Sequence, residues 1–234
     1  VTAPNTSTDR TITLPDATGT LLNSDGSGAS LTGIPVTGLT SQQVFTSSGT
    51  WTKPTGITKV KVYVTGGGGG GGPCNSDDGA NGGGAGGTAI EIIDVSSVSS
   101  VTVTVGAAGA GKANNGGTTP VYAGTSSFGS YCSATGGATS ANGWSNGGFG
   151  GAATGGNINI PGGTGMNGTI DLTVANATIG GDGGCSFWGG GGNGSTPHAL
   201  GSNALCYGAG GGGARITGTS YNGMTGIVVI EEYK

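Results

Sequence analysis

Trp144 lies in ANGWSNGG and Trp188 in CSFWGGGGNG, among glycines and close to Asn146 and Asn193 respectively. An exposed indole offers a flat apolar face on which a sugar ring can pack, and a carboxamide can both donate to and accept from hydroxyls. Tyr207 and Tyr221 stand in similar glycine-rich surroundings. Trp144, Asn146, Trp188, Asn193, Tyr207 and Tyr221 are therefore the candidate contact residues for a carbohydrate. The competing reading is that the rings plug small apolar gaps beneath the loops. Phe128, in TSSFG, follows a strand pattern and is expected in the core.

Other chemistries fit less well. Gly106, Gly111 and Lys112 have the GxxxxGK spacing of a phosphate loop, but Ala113 stands where a Ser or Thr should hold Mg²⁺. NNGGTTP follows, which cannot supply the helix such a loop needs. Asp77 and Asp78, in NSDDGANGG, and Asp182, in GGDGG, could offer oxygens to Ca²⁺, but the nine-residue repeat of that chemistry is absent, so solvated turns are expected. Glu91, Glu231 and Glu232 belong to strand-like runs rather than to a paired-carboxylate cleft. His198, the one histidine, has no nucleophile elbow near it. Cys74, Cys132, Cys185 and Cys206 form no CxxC and are expected as thiols, and no cofactor or metal is expected. These readings together argue against an enzyme.

The elements that must position these residues are unusual. The chain has 234 residues, 58 of them glycine, which is several times the ordinary ~7%. Only 8% of residues are charged and the net charge is -4, so self-repulsion does not hold the chain open. Seven basic residues provide no stripe for nucleic acid, and no apolar run approaches the ~20 residues of a membrane span. The apolar residues gather in strand-like runs. Val60, Val62 and Val64 alternate with Lys59, Lys61 and Tyr63, and Val101, Val103 and Val105 with Thr102 and Thr104. A strand is predicted over 88–95 with Ile90 and Ile92 inward, a weaker one over 125–134, and a further one over 167–174. GIVVIEEY is apolar on both faces through Ile230, which predicts an interior strand. No segment has a helical period, so the fold class is all-β.

The glycine tracts lie between these strands. Their spacing breaks the strict three-residue repeat of collagen. Without Cβ atoms, extended polyproline-II-like segments can lie side by side and bond through exposed backbone, and this, or compact glycine loops, is the favoured reading. Residues 1–43 differ: their short strands, broken by Gly-Ser and Pro turns, cannot bury a core alone. They are expected to be a trimeric β stalk, with residues 44–234 a β-sandwich carrying long glycine-rich loops. The chain opens at Val1, and we read it as a piece of a longer protein.

The order of the pieces resembles a known family. TSTDRTITLPDATGTLL and SGASLTGIPVTGLTS resemble phrases of tailed-bacteriophage tail fibres. The set Phe45, Trp51, Pro54, Val60, Val62, Val64, then GGTAIEI, VTVTVGAAG, GTSSFG, SATGG and TGIVVIEEY, is similar to the glycine-rich tip domain of such fibres, including those of Acinetobacter-infecting myophages. Residues 135–220 match least. The resemblance implies a homotrimer on the virion, joined to the baseplate through an N-terminal part missing here. It also implies a receptor at the bacterial surface, expected to be capsule or lipopolysaccharide, met without catalysis and without membrane insertion. The rival expectations are a capsule depolymerase and a glycine-rich fibre protein that binds nothing.

Overall fold

In a computed structural model, residues 38–74, 79–113, 119–140, 146–169, 178–215 and 218–234 are described. The expected stalk, apart from its last residues, and Trp144, Asp77 and Asp78 lie outside them. The described residues contain ten strands and no helix, so the all-β reading holds.

One antiparallel sheet runs β1(Leu39–Phe45), β10(Ile227–Tyr233), β3(Lys59–Thr65), β4(Thr88–Asp94), β9(Ile158–Ile160), in that spatial order. The other runs β2(Gly49–Thr52), β5(Ser100–Thr104), β6(Ser126–Phe128), β7(Cys132–Ala134), β8(Ala153–Thr154). Short links join the sheets at both edges, β1 to β2 on one side and β8 to β9 on the other. The second link turns at Gly155, whose φ of 78° suits glycine alone. The run read as an interior strand, β10, is bonded on both sides, to β1 and β3. β1 starts at Leu39, so Leu39–Gln43 belong to the sandwich.

The alternation predicted for β3 is observed: Val60, Val62 and Val64 are wholly buried and meet Trp51, Val101, Val103 and Phe128 from the facing sheet. Trp51 and Phe128 meet edge-on, centroids 5.8 Å apart. Burying two such rings dominates the energetics of a core this small. The expectation for β4 needs correcting. Val62 lies opposite Glu91 and Val60 opposite Ile93, so Ala89, Glu91 and Ile93 share the inner face. Ile92 is turned outward, 59% exposed, and Ile90 shares its outer face. The run IEII is apolar at both parities, and only the register on β3 decides which parity faces in. The predicted strand over 167–174 is also absent where it can be seen. Residues 167 and 168 are irregular, Thr169 makes a single bridge to Ile179, and the remainder lies outside the described residues.

The glycine tracts leave the sandwich between β3 and β4, β5 and β6, β7 and β8, and β9 and β10. The β3–β4 hairpin shows what happens to the chain. Thr65 and Thr88 are the last paired residues, their hydroxyls 2.9 Å apart. Beyond them the two segments stay antiparallel, but Gly66, Gly69 and Gly72 donate to Gly87, Gly84 and Asn81. The bonds now recur every third residue, the period of polyproline II rather than of a strand. The amides of Gly68 and Gly71 donate to Met224 and Tyr221, and that of Gly67 to Gly124. The carbonyls of Gly68 and Gly71 accept from Gly109 and Lys112, that of Gly67 from Gly137, and that of Gly69 from Gly211. Residues 66–72 are thus enclosed by six neighbouring segments, and most of their backbone polar groups bond to these without any sheet.

At most of its glycines this packing leaves no space for a side chain. A Cβ built on Gly68 would lie 1.8 Å from the carbonyl oxygen of Ala209, and one on Gly83 2.2 Å from that of Gly69. Where a side chain does enter the bundle, it substitutes for backbone. Asn81 is buried, accepts from the Gly168 amide and donates to Ser140 Oγ. The side-by-side glycine reading therefore holds, with the tracts forming a bonded bundle rather than separate loops.

Candidate functional site

Because the bundle interior is mostly backbone, the larger side chains collect on its turns. Segments 178–185 and 190–195 run antiparallel, with Gly183 bonded to Gly192 and Gly180 to Ser195. The turn joining them, Ser186–Gly189, lies at the sandwich end. Its neighbour in sequence, Thr196–Ala199, lies at the far end, near Arg215, which bridges to Gly79.

The far turn is closed by two backbone bonds between Thr196 and Ala199. Thr196 Oγ1 also accepts from the Ala199 amide at 3.0 Å, which fixes Pro197 and His198 at the tip. Ser195, the tip, Leu200, Arg215 and Tyr221 line a cavity of about 280 Å³. Arg215 Nη1 reaches the Pro197 carbonyl at 3.4 Å. Ser195 Oγ donates to Tyr221 Oη at 3.4 Å and accepts from the Gly201 amide at 3.1 Å. The Tyr221 ring occupies the space a side chain on Gly201 would need, since a Cβ there would fall 2.4 Å from Tyr221 Cε2. Leu200 is 88% exposed at the rim.

A smaller hollow of about 140 Å³ is lined by Pro120, Thr139, Ser140 and residues 146–149. It includes Asn146 and the exposed Phe149.

The sequence-predicted residues are divided by this architecture. Tyr221 lines the larger cavity and Asn146 the smaller. Asn193 is exposed, and its backbone carbonyl accepts from the Ser202 amide beside the far turn. Trp144 lies outside the described residues. Trp188 is placed at the sandwich end. Its indole N–H donates to Thr65 Oγ1 at 2.8 Å, and its ring packs edge-on against Phe187 and beside Tyr63, with centroids 5.0 and 6.1 Å away. Tyr207 is near it, its carbonyl accepting from Ser186 Oγ at 2.7 Å. For Trp188 the gap-plugging reading fits the contacts better than the platform reading.

Arg215, Pro197 and Leu200 were missed by sequence reasoning, and His198 was weighed only for catalysis. A cue was present: GNGSTPHALG carries six consecutive non-glycine residues between glycines. The GK-containing stretch is bundle backbone, with Gly109 and Lys112 amides bonded to Gly68 and Gly71 and Lys112 Nζ to the Thr119 carbonyl. None of the four cysteines is in a disulfide. Among the described residues no three of His, Cys, Asp and Glu gather as metal ligands, and no helix is long and apolar enough to cross a membrane.

The model of one protein family, described as a glycine-rich domain, matches residues 40–233. No curated protein matches the chain.

Proposed function

The chain belongs to the glycine-rich domain family; from the phrases it shares with tail fibres and the placing of its turns, we propose that it is the receptor-binding tip of a tailed-bacteriophage tail fibre, attaching the virion to a bacterial surface polysaccharide. One observation carries the reading: a bonded glycine bundle, whose interior is mostly backbone with a few small side chains, holds turns rich in side chains at the end away from the sandwich, and the larger cavity lies among those turns. Such a scaffold suits recognition, because the turns can change in sequence while the bonded backbone stays the same. The ordered phrases shared with tail fibres supply the biological setting. Three copies on one fibre would make weak sites multivalent, raising avidity without new contacts.

The test is adsorption. Fluorescently labelled protein should bind a susceptible strain saturably, and purified capsule or lipopolysaccharide from that strain should compete. Binding that polysaccharide cannot displace, but that protease treatment of the cells abolishes, would move the receptor to a protein. Absence of saturable binding across a broad strain panel would leave a structural fibre protein instead.

A further inference from the structure

We propose that the asparagines preceding glycine are latent self-modification sites that the bundle holds closed, with Asn193 the site governed by Asp182. Seven asparagines are followed directly by glycine. Such a pair reacts with itself. The glycine nitrogen attacks the asparagine Cγ, an N–Cγ bond forms, the Cγ–Nδ2 bond breaks, and ammonia leaves with the proton that the glycine nitrogen gives up. Water then opens the cyclic imide to aspartate or isoaspartate. Glycine permits this best, because it has no Cβ to obstruct the attack and its backbone turns easily. An unfolded chain with this many pairs converts steadily to acidic forms.

Five of the pairs, at Asn81, Asn146, Asn167, Asn193 and Asn222, lie among the described residues, and in each the glycine nitrogen is already bonded. Gly82 donates to the Met166 carbonyl at 2.9 Å, and Gly223 to that of Gly109 at 3.0 Å. The other three donate to side chains at 2.7 Å: Gly147 to Asn167 Oδ1, Gly168 to Asn81 Oδ1 and Gly194 to Asp182 Oδ1. Two pairs are thus closed by the carboxamide of another: Asn167 holds the glycine after Asn146, and Asn81 the glycine after Asn167.

Burial of the carboxamides does not account for protection. Asn146, Asn167, Asn193 and Asn222 are exposed to water and base, whereas the glycines that follow them are buried, or half-buried at Gly168. The protection therefore acts on the nucleophile. Ring closure requires the peptide plane to turn until the glycine nitrogen meets Cγ, and the ψ of about +145° of a polyproline-II segment holds it well away. Turning it would break the bond and drive the backbone into neighbours that are already close: a Cβ on Gly194 would fall 1.9 Å from the Gly180 carbonyl oxygen. This protection follows from the backbone bonds and does not depend on the receptor-binding reading.

The experiment incubates the full chain at mildly alkaline pH, folded in buffer and unfolded in guanidinium, and follows aspartate and isoaspartate at each site by peptide mapping and mass spectrometry. At the five sites the folded protein should react at least tenfold more slowly than the unfolded chain. Asp182 is exposed, so Asp182→Ala removes the acceptor of Gly194 without opening a core. It should speed Asn193 at least fivefold while the other four sites and the melting curve stay as in the parent. Asp182→Asn keeps an oxygen for Gly194 and should leave Asn193 slow. It also adds an Asn-Gly pair, and because Gly183 already donates to Gly192 at 2.8 Å, that new pair should stay intact too. Folded and unfolded rates within twofold of each other overturn the proposal. So does a folded Asp182→Ala protein whose Asn193 reacts no faster than the parent's. If Asp182→Ala unfolds and all five sites quicken together, Asp182→Asn carries the test: slow reaction at Asn193 and at the new pair upholds the proposal, and fast reaction at either overturns it.

Discussion

At the centre of the sandwich, Glu232 is a fully buried carboxylate whose partners are neutral. Trp51 Nε1 and Gln43 Nε2 each donate to Oε1 at 2.7 Å, and Ser41 Oγ donates to Oε2. The group ties β1, β2 and β10 together across both sheets. Glu232→Ala leaves the Trp51 N–H buried without an acceptor, and should cost about 3 kcal/mol or more, measured by chemical denaturation. Glu232→Gln keeps one carbonyl oxygen for Trp51 and should cost less. Nothing in the sequence marks Glu232 apart from Glu231; the parity of β10 decides, and Val228 and Ile230 point the same way as Glu232. Cys132 offers a second test at this scale. Burial, with a smaller contribution from the Glu91 charge, pushes its thiol up to about 12. An unfolded thiol ionises near 9, so the unfolded chain gains charge first as pH rises. Stability from this group is complete below pH 9 and is lost between about 9 and 12. Cys132→Ser should remove that alkaline loss. At pH 8, iodoacetamide should modify the exposed Cys185 and spare Cys132.

At the scale of elements, what could be read from sequence depended on whether a segment had side chains to pattern. β3 and β5 were legible because valine alternates with polar residues, a period of two that only a half-buried strand satisfies. β4 misled because Ile90, Ile92 and Ile93 leave the parity open. The glycine tracts carry no side-chain pattern, so their lateral order was not legible; only their compatibility with close packing was. The structure turns that compatibility into a requirement at particular positions. Gly69→Ala would place a methyl 2.3 Å from the Ala138 carbonyl oxygen in the middle of the bundle, and should destabilise by ~3 kcal/mol or prevent folding. Gly190→Ala meets no atom within 4 Å and should leave the melting temperature within a degree or two. A loss at Gly190 as large as that at Gly69 would mean that the close approach to Ala138 is not what requires glycine at position 69, since chain entropy alone would make either alanine stabilising.

For the whole molecule, apolar core and side-chain-bearing turns are separated. The sandwich holds the larger apolar core, the bundle is mostly bonded glycine backbone, and the far turns carry Pro197, His198 and Leu200. Sequence composition could place sugar-binding residue types in the glycine-rich region but could not sort the two ends, because alternate turns such as Ser186–Gly189 and Thr196–Ala199 go to opposite ends. Trp188 and Tyr221 are only a few segments apart in the chain yet serve different ends. The proposed homotrimer belongs to this scale too. Light scattering on the purified chain should give a mass near three times 22.0 kDa. A monomer that melts cooperatively would mean that the bundle and sandwich hold themselves together, and trimerisation would then have to come from elsewhere in the fibre.

The three-residue recurrence of the bundle bonds also constrains how such a protein can evolve in length. Removing one glycine from residues 66–72 would turn every following residue of that segment by about 120° and put each amide opposite the wrong neighbour. Removing three would restore the phase and merely shorten the rod, provided its antiparallel mate over 81–87 lost three as well. Related chains should therefore differ by insertions and deletions in multiples of three within the bundle, matched between paired segments. Changes of any length should be confined to the turns, and frameshifting errors within the rod should be purged far faster than those at its tip.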